Sequence, residues 1–257
     1  MKTLLPGLDL DSLTIVLAIS LVFFVAGWVK GVIGLGLPTV AVGLLGLMMA
    51  PAQAAAILIV PSLITNVWQL AAGPAFRPLL RRLWPMLGAI CGGTLAGGWL
   101  WSGGVSAHAT AALGVALVAY AIAGLASLRL SVPHRVEYWL SPAIGAATGI
   151  VTAATGVFVM PAVPYLQMLG LEKDDLMQAL GLAFTVSTVA LAAALAYSGA
   201  LHATAAGASF LALPPALGGM FAGQWMRSKI RPAVFRRCFF VGLLALGGHL
   251  ALHGVLG

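Results

Sequence analysis

WVKGVIGLGLPTVAVGLLGLMMAPAQAAAILIVPSLITNVWQ, residues 28–69, is almost wholly apolar and yet crowded with helix breakers. Gly31, Gly34, Gly36 and Pro38 fall close together, and Pro51 and Pro61 follow. One cation, Lys30, sits just before the glycines. Further on, Ser62, Thr65, Asn66 and Gln69 fall at i, i+3, i+4 and i+7, one face of a helix. Broken backbone inside an apolar layer survives only where protein or a watery cavity satisfies it.

The rest of the chain sets the context. Hydrophobic residues make up 61% of it and charged residues 7%, against about 25% charged in a soluble domain. Apolar runs long enough to cross a bilayer recur from end to end, so the expected class is an all-α, multi-pass membrane protein. No strand-like alternation argues for a β-barrel. The net charge of +7 resides in short loops, where it sets orientation and does not mark a nucleic-acid partner. Cys91 and Cys238 have no partner spacing for a metal or a disulfide.

The apolar segments are 12–33, 37–49, 51–71, 83–101 and 106–127, then 138–156, 159–170, 175–197, 204–227 and 234–253. Each set holds four full-length segments and one short one. The short ones, 37–49 and 159–170, reach only about 20 Å at helical rise, against a hydrocarbon core of about 30 Å. Arg77, Arg81, Arg82, Arg129, Arg135 and the cluster from Arg227 to Arg237 mark one side as cytoplasmic. The loops 102–106 and 198–203 carry no Lys or Arg and belong outside. Threading ten segments through these constraints places both termini outside. Five segments per half is odd, so the halves, 1–130 and 131–257, run in opposite directions as inverted repeats of one membrane domain. A shift of 125 aligns Gly31 with Gly156, Gln53 with Gln178 and Ser62 with Ser187.

The partner stretch, GIVTAATGVFVMPAVPYLQMLGLEKDDLMQALGLAFTVSTVALA (149–192), repeats the design of a break, a short segment and a long polar-striped helix. Its run from Thr155 to Leu191 resembles the second repeat of the sulfite exporter TauE/SafE family, and GVIGLGLPTVAVGLL resembles that family's glycine-rich first repeat. The resemblance implies outward movement of sulfite, an organosulfonate such as sulfoacetate, or a similar small organic acid across the cytoplasmic (inner) membrane. One departure is that Gly156 is followed by Val157, Phe158 and Val159, where many members carry three consecutive glycines.

The expected binding set combines the two breaks with the two polar faces: Lys30, Gly34, Gly36, Gln53, Ser62, Thr65, Asn66, Thr155, Gly156, Gln178, Thr185, Ser187 and Thr188. Helix N-termini and neutral donors would hold an anion near the midplane, between the two broken stretches and their facing short elements. Each has a structural alternative. Lys30 snorkels to the surface if segment 1 ends there. The stripe serves helix–helix hydrogen bonding. Gln178 forms a capping box with Asp175, and Thr155 satisfies freed backbone. All six acids are expected in loops or the N-terminal tail, which argues against a carboxylate proton relay in the core. No P-loop, metal-ligand cluster or catalytic set is apparent, so neither a cofactor nor enzymatic chemistry is expected. The expected partners are a small anion, the lipid bilayer and a second copy of the chain, with a small-anion channel as the alternative to a transporter. Single cysteines at positions 103 and 231 test the orientation. Labelling of intact cells from outside should reach 103 and not 231, and the reverse result overturns it.

Overall fold

The computed structural model describes residues 10–101, 106–126, 131–227, 229 and 231–256. The N-terminal tail with Asp9, the loop 102–105 and the segment 127–130 with Arg129 lie outside the described residues. The described chain is all helical: α1 (Leu10–Ile33), α2 (Leu37–Leu45), α3 (Pro51–Ala71), α4 (Phe76–Trp101), α5 (Ser106–Ala126), α6 (His134–Thr155), α7 (Ala162–Met168), α8 (Lys173–Tyr197), α9 (Ala203–Met226) and α10 (Pro232–Leu256). Eight are long, and α2 and α7 have only 9 and 7 residues. Seven of the long helices are apolar enough to cross a membrane. The eighth, α6, is 22 residues long. His134, Arg135 and Glu137 in its first turn, and its threonines, lower its hydropathy.

The breaks follow from local chemistry. α1 stops where Gly34 enters the left-handed region at φ 80°, its N–H reaching the Lys30 carbonyl at 2.7 Å. α6 stops the same way at Gly156, φ 73°, with its N–H on the Thr152 carbonyl at 2.8 Å. Pro38 and Pro51 sit in the first turns of α2 and α3, where the missing N–H costs nothing.

α3 and α8 form the centre. Along their most apolar stretches they are 50% and 67% buried, against 22% for the peripheral α10. They run antiparallel, since Ser62 meets Thr188 while Gln69, further along α3, meets Met177, further back on α8. α1 packs on α9, α4 on α6, α5 on α10, and α3 and α8 also lie against α9 and α4 respectively. Exchanging elements one to five with elements six to ten leaves these pairings unchanged. The helix caps recur at a spacing of their own. Gly34 and Gly156, and the N-caps Ala50 and Glu172, are each 122 positions apart. The alignment at 125 is therefore replaced by one at 122, which pairs Asn66 with Thr188.

The two short helices do not face each other as expected. α2 packs on α1, α3, α5 and α10, and α7 on α6 and α8. Each short helix feeds the N-terminus of the long helix behind it. Because α3 and α8 are antiparallel, those N-termini lie at opposite ends of the pair. The acids also need correction. Glu137 is a buried residue of α6, not a loop residue, and it pairs with Arg82 of α4 through two contacts of 2.7 and 2.9 Å. The same guanidinium donates to the Leu169 carbonyl just past α7 at 3.2 Å, and His134 lies 3.2 Å from Glu137. This ion pair ties α4 to α6 and to the end of α7.

Outer helix pairs touch through glycine. A Cβ on Gly219 of α9 would lie 2.0 Å from the Phe24 carbonyl oxygen of α1, and one on Gly149 of α6 would lie 2.4 Å from that of Ile90 in α4. Backbones therefore approach without side chains between them, the mode by which helices pair in lipid. Gly92 of α4 has open space around it. Gly219→Val should cost about 1–3 kcal/mol through forced separation of α1 and α9, whereas Gly92→Ala should gain up to about 1 kcal/mol. Thermal unfolding of the detergent-purified variants checks the pair.

Candidate functional site

Lys30 lies one turn before the end of α1 and is only 4% exposed. Its ammonium does not snorkel to the surface. It donates to Asn66 Oδ1 on α3. Asn66 Nδ2 in turn donates to Ser62 Oγ at 3.0 Å and lies 3.4 Å from Thr188 Oγ1. Ser62 and Thr188 hydroxyls are 3.1 Å apart, and Thr188 donates to the Phe184 carbonyl at 2.7 Å. With the Thr188 hydrogen committed there, Ser62 is the donor between the two hydroxyls. The hydrogens of Ser62 and Thr188 and both donors of Asn66 are thus engaged within the cluster. An ammonium has three donors, so among the described residues Lys30 keeps two for another partner. Among the described residues no carboxylate lies within ion-pair distance of it.

The cluster opens into a cavity of about 360 Å³. Lys30, Gly34 and Thr65 line it, with Trp68, Gln69, Met177 and Gln178, then Gln224 and Arg227 of α9 and Asp174 of α8. Asp174 and Arg227 stand at helix ends on one face of the bundle, so the cavity leads from that face to the Lys30 cluster. Gln69 donates one amide hydrogen to the Met177 carbonyl at 2.9 Å, leaving a second. Thr65 gives its hydrogen to the Pro61 carbonyl at 2.7 Å and presents only lone pairs.

The remaining expected residues fall into different settings. Gln178 lines the cavity but its amide is occupied. Nε2 donates to the Leu70 and Gly73 carbonyls at 2.8 and 2.7 Å, and Oε1 accepts from the Ala75 N–H at 2.6 Å. It caps the C-terminal end of α3 from the other half of the chain. The capping box with Asp175 does not form, because α8 starts two residues earlier, with Glu172 as its N-cap and no side-chain cap. Thr155 donates to the Val151 carbonyl at 2.7 Å and accepts from the Val157 N–H at 3.1 Å, satisfying the broken backbone locally. Thr185 is likewise bonded to its own helix, at the Gly181 carbonyl, 2.7 Å away. Gly36 caps α2 at φ 108° with Val29 and Phe239 against it. Gly156 abuts Ala55 at the far end of α3. Gln53 is exposed at the start of α3, apart from the cluster. Ser187 is buried without a hydrogen-bond partner among the described residues.

The two breaks therefore do not enclose one midplane pocket. Gly34 lies against Met177 near the start of α8, and Gly156 against Ala55 near the start of α3. The cavity adds Trp68, Gln224 and Arg227, which the sequence pattern did not single out as ligands. Gln224 and Arg227 are three residues apart at the end of α9, a spacing that gives a shared face. Replacing Gln178 with Ala strips three hydrogen bonds from the end of α3. It should lower stability by about 1–3 kcal/mol, since buried groups are left unpaired. Thermal unfolding in the absence of any anion checks this.

The family model described as TauE, Sulfite exporter TauE/SafE, matches residues 19–250. No curated protein and no solved structure matches the chain. The match runs from within α1 to within α10 and takes in the Lys30 cluster and the cavity. It makes this a multi-pass membrane protein of a transporter family. The chain belongs to the sulfite exporter TauE/SafE family.

Proposed function

We propose that the chain is a secondary transporter that exports a small anion, such as sulfite, an organosulfonate such as sulfoacetate or a similar small organic acid, from the Lys30 cavity. The observation that carries this is the buried Lys30 ammonium, which among the described residues has two uncommitted donors and no carboxylate within ion-pair distance. A buried cation is costly unless a counter-charge or several hydrogen bonds compensate it. Asn66 supplies one such bond, and an anion entering the cavity would supply the rest. The donors available to it are Lys30 and the second amide hydrogen of Gln69, with Gln224 and Arg227 along the way in. Asn66, Ser62 and Thr188 act as a positioning network that orients Lys30. The cavity lining holds two cations, Lys30 and Arg227, and one carboxylate, Asp174, a balance of one positive charge that favours a singly charged form, such as protonated sulfite, over a dianion.

The halves 1–130 and 131–257 are proposed as inverted repeats in the cell (inner) membrane, with both termini outside. The antiparallel run of α3 and α8, and the exchange symmetry of the helix pairings, support this reading. On this orientation the face with Arg227 and Asp174 is cytoplasmic, and the cavity opens inward to load substrate for export.

Liposomes loaded with labelled sulfite or sulfoacetate test the reading. Efflux should exceed that of protein-free liposomes, saturate and show counterflow, whereas flux without counterflow would indicate a channel. Lys30→Gln should weaken anion affinity by about 10–100-fold, the worth of about 1.5–3 kcal/mol for a charged hydrogen bond. Asn66→Ala should weaken it too, with expression intact. If neither anion leaves faster than from protein-free liposomes while a cation or neutral solute does, the reading is wrong.

A further inference from the structure

The open cavity has a counterpart on the opposite face, reached through the correspondence of 122 positions set by the helix caps. Carried along α3 and α8, it takes Thr65 to Ser187 and Gln69 to Leu191. In the other direction it takes Met177 to Ala55 and Gln178 to Ala56. Thr65, Gln69, Met177 and Gln178 all line the open cavity. Three of their counterparts, Ala55, Ala56 and Leu191, join Ile59 and Leu195 in a buried apolar cluster that is separate from the main core. The fourth, Ser187, is 1% exposed and its Oγ has no hydrogen-bond partner among the described residues. It stands one helical turn before Leu191, on the same face of α8.

These placements point to one explanation. A buried hydroxyl without a partner is disfavoured, and each such group calls for a reason. Its counterpart Thr65 lines the open cavity and has its hydroxyl hydrogen on the Pro61 carbonyl. The cluster that begins one turn further along α8 is made of alanine, leucine and isoleucine side chains, which part without breaking a side-chain hydrogen bond. The centre of the exchange is already bonded across the halves, since Asn66 donates to Thr188, its own counterpart. We infer that Ala55, Ala56, Ile59, Leu191 and Leu195 form the closed outer gate of the transport path. When that gate opens, Ser187 lines an outer cavity and hydrogen-bonds the same small anion on its way out. This rests on the transporter reading above and adds the exit route and its ligand-contacting residue.

Cysteine accessibility tests the gate. In a background of Cys91→Ala and Cys238→Ala, Leu191→Cys, Ala56→Cys and Gln69→Cys are compared with Leu58→Cys, a buried position in the main core. Right-side-out and inside-out membrane vesicles receive a membrane-impermeant thiol reagent, first without any anion and then with sulfite or sulfoacetate. Leu191→Cys and Ala56→Cys should label from one side of the membrane and Gln69→Cys from the other. Addition of a transported anion should change the two rates in opposite senses, and Leu58→Cys should stay unlabelled. Ala56→Cys is a small change and keeps the test decisive if Leu191→Cys does not fold. If neither gate variant labels from the side opposite Gln69→Cys, or if Leu58→Cys labels as fast, the inference is overturned, whatever the flux assay shows. If the gate variants label as expected while wild-type liposomes move no anion, the gate stands and the anion-export reading fails.

Discussion

Gln178 reaches from α8 to the Leu70 and Gly73 carbonyls, and Ser62 meets Thr188 further along the same two helices. In lipid, where no water satisfies a stranded polar group, such cross-helix bonds fix register more firmly than apolar packing does. They bind one half of the chain to the other at its centre. The positions of α9, which meets α3 with α1 packed against it, and of α4 and α6, which meet α8, follow from that central pair. So does the Lys30 site, because the Asn66 amide that receives the ammonium is held in turn by Ser62 and Thr188.

Much of this was legible in the sequence, for identifiable reasons. The helix ends are marked by glycines and prolines whose backbone preferences are local, so 37–49 and 159–170 stood out as short, and α3 begins at Pro51 as expected. The stripe of Ser62, Thr65 and Asn66 shows as periodicity, and it turns inward because lipid offers these groups nothing. What stayed hidden depends on distance along the chain. The partners of Gln178 are more than a hundred residues away, so its amide looked free for a ligand or a local cap. The Arg82–Glu137 pair spans two helices and made a buried acid look like a loop residue. The alignment at 125 rested on identities in a composition where alanine, glycine and leucine match by chance, whereas the caps carry the geometry.

The placement of the breaks changes how the site works. A single midplane pocket between two opposed helix ends would give a ligand equal surroundings from both halves. The structure instead sets Gly34 and Gly156 at opposite ends of the α3–α8 pair and gives the cation to one of them. Lys30 corresponds to Thr152, which donates to the Thr148 carbonyl at 2.7 Å and carries no charge. The helix pairings are unchanged on exchange of the two sets of five, whereas the charge at these two positions is not.

That difference bears on how voltage acts on the proposed cycle. Among the described residues no carboxylate lies within ion-pair distance of Lys30, so in the proposed cycle a protonated lysine and a bound monoanion together sum to zero, and the occupied site feels little force from the membrane potential. With Lys30 protonated, the vacant site carries one positive charge more than the occupied one. A negative interior then draws the empty carrier back toward its loading orientation, at about 2.3 kcal/mol per charge per 100 mV for a full crossing of the field. On the proposed cycle the electrical work of export falls in the reset step. A current recorded under saturating anion would report on how fast the empty protein turns around.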